Sequence, residues 1–149
     1  MSNQGQQIEP SVTELKFLNK KPMRATKGTL AKRKLRLEAD KLWKEAVIKR
    51  WGDKCILCPK PADIHQTHHF KPKSHYASLR YDIENGCPIC RKCHFTLEHV
   101  DKSLVAEIAT IRGKEWYQGI QLKAQQTHSG LTTISWYRQQ IERLKEYLN

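Results

Sequence analysis

The 149-residue sequence predicts an α+β fold that is mostly helical, with a small metal-stapled core between N- and C-terminal helices. Apolar residues recur at helical spacing before residue 51 and again after residue 132, which predicts a helix at each end. Between them, residues 55–94 contain four prolines and two separate Cys-x-x-Cys motifs. That combination is typical of short strands and turns held together by a metal ion.

The N-terminal part should consist of an arm and a long helix. Residues 1–25 are polar and lack periodicity, and we expect a flexible basic arm there. A helix should run from about Thr29 to Arg50, and Gly52 should end it in a left-handed conformation. Its apolar stripe has i, i+4, i+7 and i+8 spacing and consists of Leu35, Ala39, Leu42, Trp43, Ala46 and Val47.

The metal-bearing segment should continue into a series of helices. A short strand is expected across residues 65–70, between two turns. A helix should begin near Arg91 or Cys93 and run to about residue 100. The next should be capped at Asp101 or Ser103 and stop at Gly113, and another should run over about 114–126.

The C-terminal segment gives the cleanest amphipathic signal. After a linker at 127–130, a helix should run from about Thr133 to Leu148. Its apolar residues are Ile134, Tyr137, Ile141, Leu144 and Leu148. The chain thus divides into an arm (1–25), a central domain with a basic helix (26–126), and a linker with a helix (127–149). The last helix could pack on its own domain or on a second copy.

The charge distribution indicates a polyanionic partner. The net charge is +12, and residues 1–50 carry 13 Lys/Arg against five Asp/Glu, which is +8 of it. No segment combines a lipid-facing apolar stripe with a basic rim, and none has the roughly 18 apolar residues of a membrane span. Nucleic acid is therefore the expected partner, and a membrane is not.

Four of the five cysteines can form a structural zinc site. Cys-x-x-Cys turns place two sulfurs at adjacent corners of a tetrahedron, so Cys55/Cys58 with Cys90/Cys93 would complete a four-thiolate site. Cys87 and Cys90 have the same spacing and could form the second turn instead, although a small core residue is the better interpretation of Cys87. The polar N-terminus lacks a signal segment, which favours a cytoplasmic location, reduced thiols and zinc over disulfides.

The histidines indicate a second centre. Six of the seven lie between His65 and His99. Adjacent residues of a strand point to opposite faces, so His68 and His69 should serve one centre in different ways. One could bind a metal while the other approaches a substrate. For His65, His75 and His128 a surface position is the simpler interpretation, with His65 and His75 as candidate phosphate contacts.

These residues resemble the HNH (ββα-metal) endonuclease family in its zinc-stapled form. The resemblance rests on Cys-x-x-Cys, the His68–His69 pair, Asn85 and Cys90-x-x-Cys93-His94. It implies that His69 is the general base, that Asn85 orients His69 or binds metal, and that His68 and His94 bind a catalytic Mg²⁺ or Mn²⁺. His99 is the alternative ligand. The implied activity is hydrolysis of DNA phosphodiesters.

A second, pattern-level resemblance is to the NinG (Rap) recombination proteins of lambdoid phages. It rests on Leu42-Trp43, the run Leu79-Arg80-Tyr81 and the segment Gly113–Trp116. In those proteins Asn tends to stand where this chain has His94. The resemblance implies cleavage of branched or Holliday-junction DNA in the host cytoplasm, and symmetric cutting would need a homodimer, for which the last helix is the candidate surface.

Basic side chains near these motifs are candidate phosphate contacts. They are Lys71, Lys73, Arg80, Arg91 and Lys92 around the centre, with Lys34 and Lys41 on the first helix. Two other functions remain open. One is a non-catalytic four-cysteine module that binds nucleic acid, and the other is an HNH nuclease of restriction or DNA packaging.

Overall fold

The computed structural model describes residues 25–126 and 132–149 and has the predicted α+β architecture. The expected arm and linker lie outside these ranges, except for residue 25. The elements in order are α1 (Lys27–Trp51), β1 (His68–His69), β2 (Gly86–Cys87), α2 (Arg91–His99), α3 (Leu104–Arg112), α4 (Lys114–Gln125) and α5 (Ile134–Leu148). No helix within the described ranges is long and apolar enough to cross a membrane.

Helix α1 begins two residues earlier and ends one residue later than the sequence suggested, directly before the expected Gly52. The Thr26 hydroxyl accepts a hydrogen bond from the Thr29 N–H and caps its start. Gly52 closes it with a φ of +87°, a conformation that glycine adopts without a steric penalty. The helix buries Ala39, Trp43, Ala46 and Val47 on one stripe.

Helix α5 packs against α1 within the same chain. Its Tyr137, Ile141 and Leu144 are buried in one cluster with the α1 stripe and Tyr81. Lys49 donates to the carbonyls of Tyr147 and Leu148 at 2.9 and 3.0 Å and fastens the end of α5. The apolar stripe of α5, which was a candidate dimer surface, is therefore buried against α1 of the same chain. Of the two predicted arrangements, the structure has the one in which the last helix packs on its own domain.

The two short strands and α2 form a ββα unit. β1 and β2 are antiparallel, with His68 opposite Cys87 and His69 opposite Gly86. The strand is shorter than the predicted 65–70, because Ile64–Gln66 is a 3-10 turn whose start is capped by the Asp63 carboxylate. A second core of Phe70, Ile89, Leu97, Ile108 and Ile120 joins this unit to α3 and α4.

Close packing joins α1 to the ββα unit. A Cβ placed on Gly86 would lie 2.9 Å from Val47 Cγ1, closer still to Val47 Cγ2, and 3.1 Å from Trp43. Only a glycine therefore lets β2 approach α1 this closely. Because Gly86 is paired with His69, this contact also sets the distance between α1 and the histidine pair.

Candidate active site and metal centres

The four cysteines of the two Cys-x-x-Cys turns converge. The sulfurs of Cys55, Cys58, Cys90 and Cys93 all lie within 4.8 Å of one another, with Cys58 and Cys90 separated by 3.7 Å. Burial opposes ionisation of Cys90, but the Cys93 N–H and the neighbouring thiols lower its pKa to about 7. Burial instead raises the pKa of Cys55 and of Cys93. It is the convergence of four sulfurs that fits a structural Zn²⁺, which prefers thiolate ligands.

Cys87 does not belong to this cluster. It lies on β2 with no exposed surface, in the second core. Burial raises the pKa of its thiol to about 12 in spite of the nearby Arg112 guanidinium. The competition between Cys87 and Cys93 that the sequence left open is thus decided by geometry in favour of Cys93.

The first cysteine turn is also fixed to the segment after β2 by backbone bonds. The Ile56 N–H donates to the Pro88 carbonyl at 2.9 Å, and the Asp63 N–H donates to the Ile89 carbonyl at 3.0 Å. A metal at the cysteine cluster would therefore lock together the two chain segments that carry β1 and β2.

A second cluster consists of His68, His94 and Glu98. One ligand atom from each lies within 4.8 Å of the others, and Glu98 Oε1 is 3.4 Å from His68 Nδ1 and 3.9 Å from His94 Nε2. His68 comes from β1, whereas His94 and Glu98 are one turn apart on α2. Burial lowers the pKa of His68 to about 4, so its ring is neutral and able to donate a lone pair at pH 7. Two imidazoles and one carboxylate suit a divalent cation.

Glu98 was missed by the sequence analysis. The sequence does contain an indication of Glu98, because it lies four residues after His94. On a helix that includes both residues, such as α2, this spacing places the two side chains on the same face. His99, the alternative ligand, is not in the cluster. It is exposed, and its ring lies against Phe95 with 4.8 Å between the ring centroids.

His69 is held on two sides. Its ring stacks on Trp43 with the centroids 3.9 Å apart and the planes 9° from parallel. Nε2 lies 2.8 Å from the Arg80 carbonyl oxygen, and since a carbonyl only accepts, Nε2 carries the proton. Nδ1 then has the free lone pair of a base. Burial lowers the pKa of His69 to about 4, and the cations of Lys73 and Arg80 act in the same direction.

Asn85 has a different partner from the one the resemblance implied. The His69 ring N–H is bound by the Arg80 carbonyl, whereas Asn85 bonds to backbone. Its Oδ1 accepts from the Lys71 N–H at 2.7 Å, and its Nδ2 donates to the carbonyls of Lys71 and Leu79 at 3.0 and 3.1 Å. Asn85 is fully buried and fixes both ends of the 71–79 loop that leads to Arg80. It is a positioning residue.

The two histidines of the His68–His94–Glu98 cluster and His69 line one cleft. This cleft has a volume of about 480 Å³ and is lined among others by His68, His69, His94, Glu98, Lys44 and Lys73. Partial burial, and after it the nearby cations of Arg80 and Lys44, lower the pKa of Lys73, while Asp40 acts in the opposite direction. A larger, more apolar cleft of about 790 Å³ adjoins it on the other side of the histidine pair.

Some of the predicted phosphate contacts already bind other side chains of the protein, and others are exposed to solvent. Arg80 forms a bidentate pair with Asp40 at 3.0 and 3.1 Å and also reaches the Tyr81 hydroxyl, so its charge is already used. Lys71 donates to Gln121 Oε1 at 2.7 Å. Lys73, Arg91, Lys92, Lys34 and Lys41 are exposed, Lys41 within 3.9 Å of Glu45.

Residues 55–99 match a family model described as HNH endonuclease. The matched segment begins at Cys55 and ends at His99, so it contains both metal clusters and His69. Searches among curated proteins and among solved structures returned no match. The match supports the HNH family for this segment, and with it a nuclease-type protein that acts on nucleic acid and carries a cysteine metal site.

Proposed function

We propose that this chain is a metal-dependent DNA endonuclease that hydrolyses phosphodiester bonds. The observation that carries the proposal is the placement of His69, with one ring nitrogen bound by a carbonyl and the other free, on the cleft shared with the His68–His94–Glu98 cluster. A non-catalytic zinc module requires neither the free base nor the second cluster.

In this mechanism His69 Nδ1 takes the proton of a water as the water oxygen attacks phosphorus. The Arg80 carbonyl holds the opposite N–H, and Trp43 fixes the plane of the ring, so the lone pair keeps one direction. A Mg²⁺ or Mn²⁺ ion held by His68, His94 and Glu98 would stabilise the charge on the phosphorane and on the departing 3′ oxygen. The products are a 5′ phosphate and a 3′ hydroxyl.

Cations that line the cleft would hold the substrate strand. Lys44 and Lys73 line the same cleft as His69 and can bind phosphates on either side of the cleaved bond. Zn²⁺ at the four cysteines would have a structural role only, because a site closed by four thiolates leaves no position for substrate. With its thiols reduced, such a site suits the cytoplasm, that of the host cell if the chain is phage-encoded.

The substrate we favour is branched DNA, a four-way junction or a D-loop, processed in phage recombination. The sequence resemblance to NinG proteins supports this choice. Symmetric cutting of a junction would need two copies, and a homodimer would have to use a surface other than the apolar stripe of α5. Restriction and DNA packaging are the alternative settings for the same chemistry.

The test is cleavage by the purified zinc-loaded chain. Supercoiled plasmid, linear duplex and a synthetic four-way junction are incubated with Mg²⁺, with Mn²⁺ and without added metal. We expect metal-dependent nicks that end in 5′ phosphates and faster cutting of the junction than of the duplex. Absence of cutting on every substrate would refute the nuclease proposal, and equal rates would refute the preference for branched DNA.

A further inference from the structure

The outer face of α2 carries an exposed aromatic pair. Phe95 is 60% exposed, whereas Leu97 on the same helix is 3% exposed and faces the core. The ring of His99 lies 4.8 Å from that of Phe95, tilted by 48°. A single exposed apolar residue needs no explanation, but here the tilted ring of His99 adds a second aromatic surface beside Phe95. We call this pair of rings the platform.

Positive charge surrounds this platform. Phe95 and His99 line a shallow cleft of about 720 Å³, and its other lining residues are Gln66, Arg91, Lys92 and His94. Among the described residues, none that lines this cleft carries a carboxyl group. A surface that combines aromatic rings with Arg and Lys, without a competing carboxylate, is complementary to a nucleotide, since rings stack on bases and cations bind phosphates.

The platform is continuous with the proposed active site. His94 lines both this cleft and the one that contains His69. Since His94 and Phe95 are consecutive residues of α2, a DNA strand bound at the metal cluster would reach the platform within a short distance.

We propose that Phe95 and His99 stack on an unpaired nucleobase of the DNA strand whose phosphodiester lies at the His68–His94–Glu98 cluster, with Arg91 and Lys92 binding its phosphates. This inference rests on the proposed function and names its substrate more closely. Within a duplex both faces of a base are covered by its neighbours, so only an unpaired or frayed nucleotide can stack on the platform. The platform therefore selects DNA with unpaired nucleotides next to the cleavage site.

Binding measurements test the platform separately from catalysis. In a His69→Ala background, in which we expect cleavage to be slow, binding of a forked DNA and of a fully paired duplex is measured by fluorescence anisotropy. The fork carries 2-aminopurine at its unpaired nucleotide, and stacking on a ring quenches this fluorophore. We expect tighter binding of the fork, quenching on binding, and a roughly 5- to 100-fold loss of fork affinity in Phe95→Ala with duplex affinity unchanged.

Two further variants sharpen the result. Phe95→Tyr keeps a ring and should retain both fork affinity and quenching. Leu122→Ala removes an equally exposed apolar side chain on α4, 60% exposed like Phe95, and should change neither. Equal losses on fork and duplex in Phe95→Ala, or no loss at all, would overturn the proposal, as would binding without quenching. If Phe95→Ala does not fold, the proposal is tested by the quenching of 2-aminopurine on binding and by the fork affinity of the Phe95→Tyr variant.

The two proposals fail in different ways. A chain that prefers the fork and quenches 2-aminopurine, yet cuts no DNA with any metal, would keep the platform and refute the nuclease. A chain that cuts DNA but shows no dependence on Phe95 would keep the nuclease and refute the platform.

Discussion

His69 has surroundings that favour a neutral base. Its ring is buried against Trp43, and the partner of its N–H is a carbonyl, which fixes the tautomer without supplying the full negative charge that would stabilise an imidazolium. Burial therefore dominates and lowers the pKa of His69 to about 4. A water at Nδ1 meets an unprotonated nitrogen throughout the neutral range.

The pH profile of cleavage should reflect this lowered pKa. The active, neutral form of His69 exists above its pKa of about 4 and is lost as the pH falls through that value. Single-turnover cleavage at saturating Mn²⁺ should thus remain near its maximum at about pH 5.5, where a histidine with the ordinary pKa of about 6.5 would be roughly nine-tenths protonated. A rate that falls to half near pH 6.5, in a chain still folded by circular dichroism, would contradict this.

Glu98 is the one anionic side chain of the His68–His94–Glu98 cluster. The Glu98→Gln substitution keeps the size and removes the charge, so it should weaken binding of the divalent ion by at least about tenfold. The measurement is the Mn²⁺ concentration that gives half-maximal cleavage. Glu107→Gln, an exposed glutamate on α3, is the matched control and should leave that concentration unchanged. If both variants need the same Mn²⁺ concentration for half-maximal cleavage, Glu98 is not a ligand of the divalent ion.

For the individual residues of the site, the sequence predicted their identity better than their roles. Spacing was enough to find the cysteines and the histidine pair. The i, i+4 spacing from His94 would have indicated Glu98 on the predicted helix. No spacing could indicate the Arg80–Asp40 pair, because the partners are 40 residues apart and meet only when α1 packs on the loop before β2. The family resemblance implied that Asn85 orients His69 or binds metal, whereas Asn85 bonds the backbone of Lys71 and Leu79.

Among the elements, the ββα unit depends on the four-cysteine cluster. Its strands contain only two residues each, too few to be stable alone. Cys90→Ser should therefore abolish stoichiometric zinc and cooperative thermal unfolding of this unit. Cys87→Ala, which removes a thiol from the core outside the cluster, should retain zinc at the parent's stoichiometry. Metal analysis by mass spectrometry compares the two, and zinc loss in Cys87→Ala would show that the ligand set is wrong.

The contact between β2 and α1 gives a second test at the level of elements. Gly86→Ala would force a methyl group into Val47 and Trp43 and should destabilise the chain by about 1–3 kcal/mol. Gly119→Ala, on α4 with no atom within 4 Å of the new methyl group, should be neutral or stabilise by up to about 1 kcal/mol. Chemical denaturation measures both, and equal stabilities would show that α1 does not pack closely on β2.

The long helices were predictable, whereas for the strands only the position of β1 was predicted, with bounds that were too wide, and β2 was not predicted. α1 and α5 have apolar stripes that repeat over several turns, which gives a strong periodic signal. β1 is only two residues long, and the residues before it turn, because Asp63 caps Ile64–Gln66 and the Thr67 hydroxyl donates to the Ile64 carbonyl. No alternating pattern can mark so short a strand.

In the complete chain, α1 contributes to the candidate active site. The sequence predicted a basic helix that flanks the core, and the structure shows that Trp43 of this helix forms one wall for His69 while Lys44 lines the same cleft. α5 covers the apolar stripe of α1 and carries Arg143, which donates to the Tyr81 carbonyl at 2.8 Å. The N- and C-terminal helices thus support the segment that matches the HNH family.

If this protein cuts DNA with His69 as the base, removal of the His69 imidazole should slow cleavage without unfolding the chain. The most direct measurement is the single-turnover rate of plasmid nicking in Mn²⁺, for the parent and for His69→Ala, with zinc content and thermal stability compared in the same preparations. We predict a rate lower by about 10²–10⁴-fold in His69→Ala, with zinc retained. A His69→Ala chain that is folded, zinc-loaded and as fast as the parent would show that His69 is not the base.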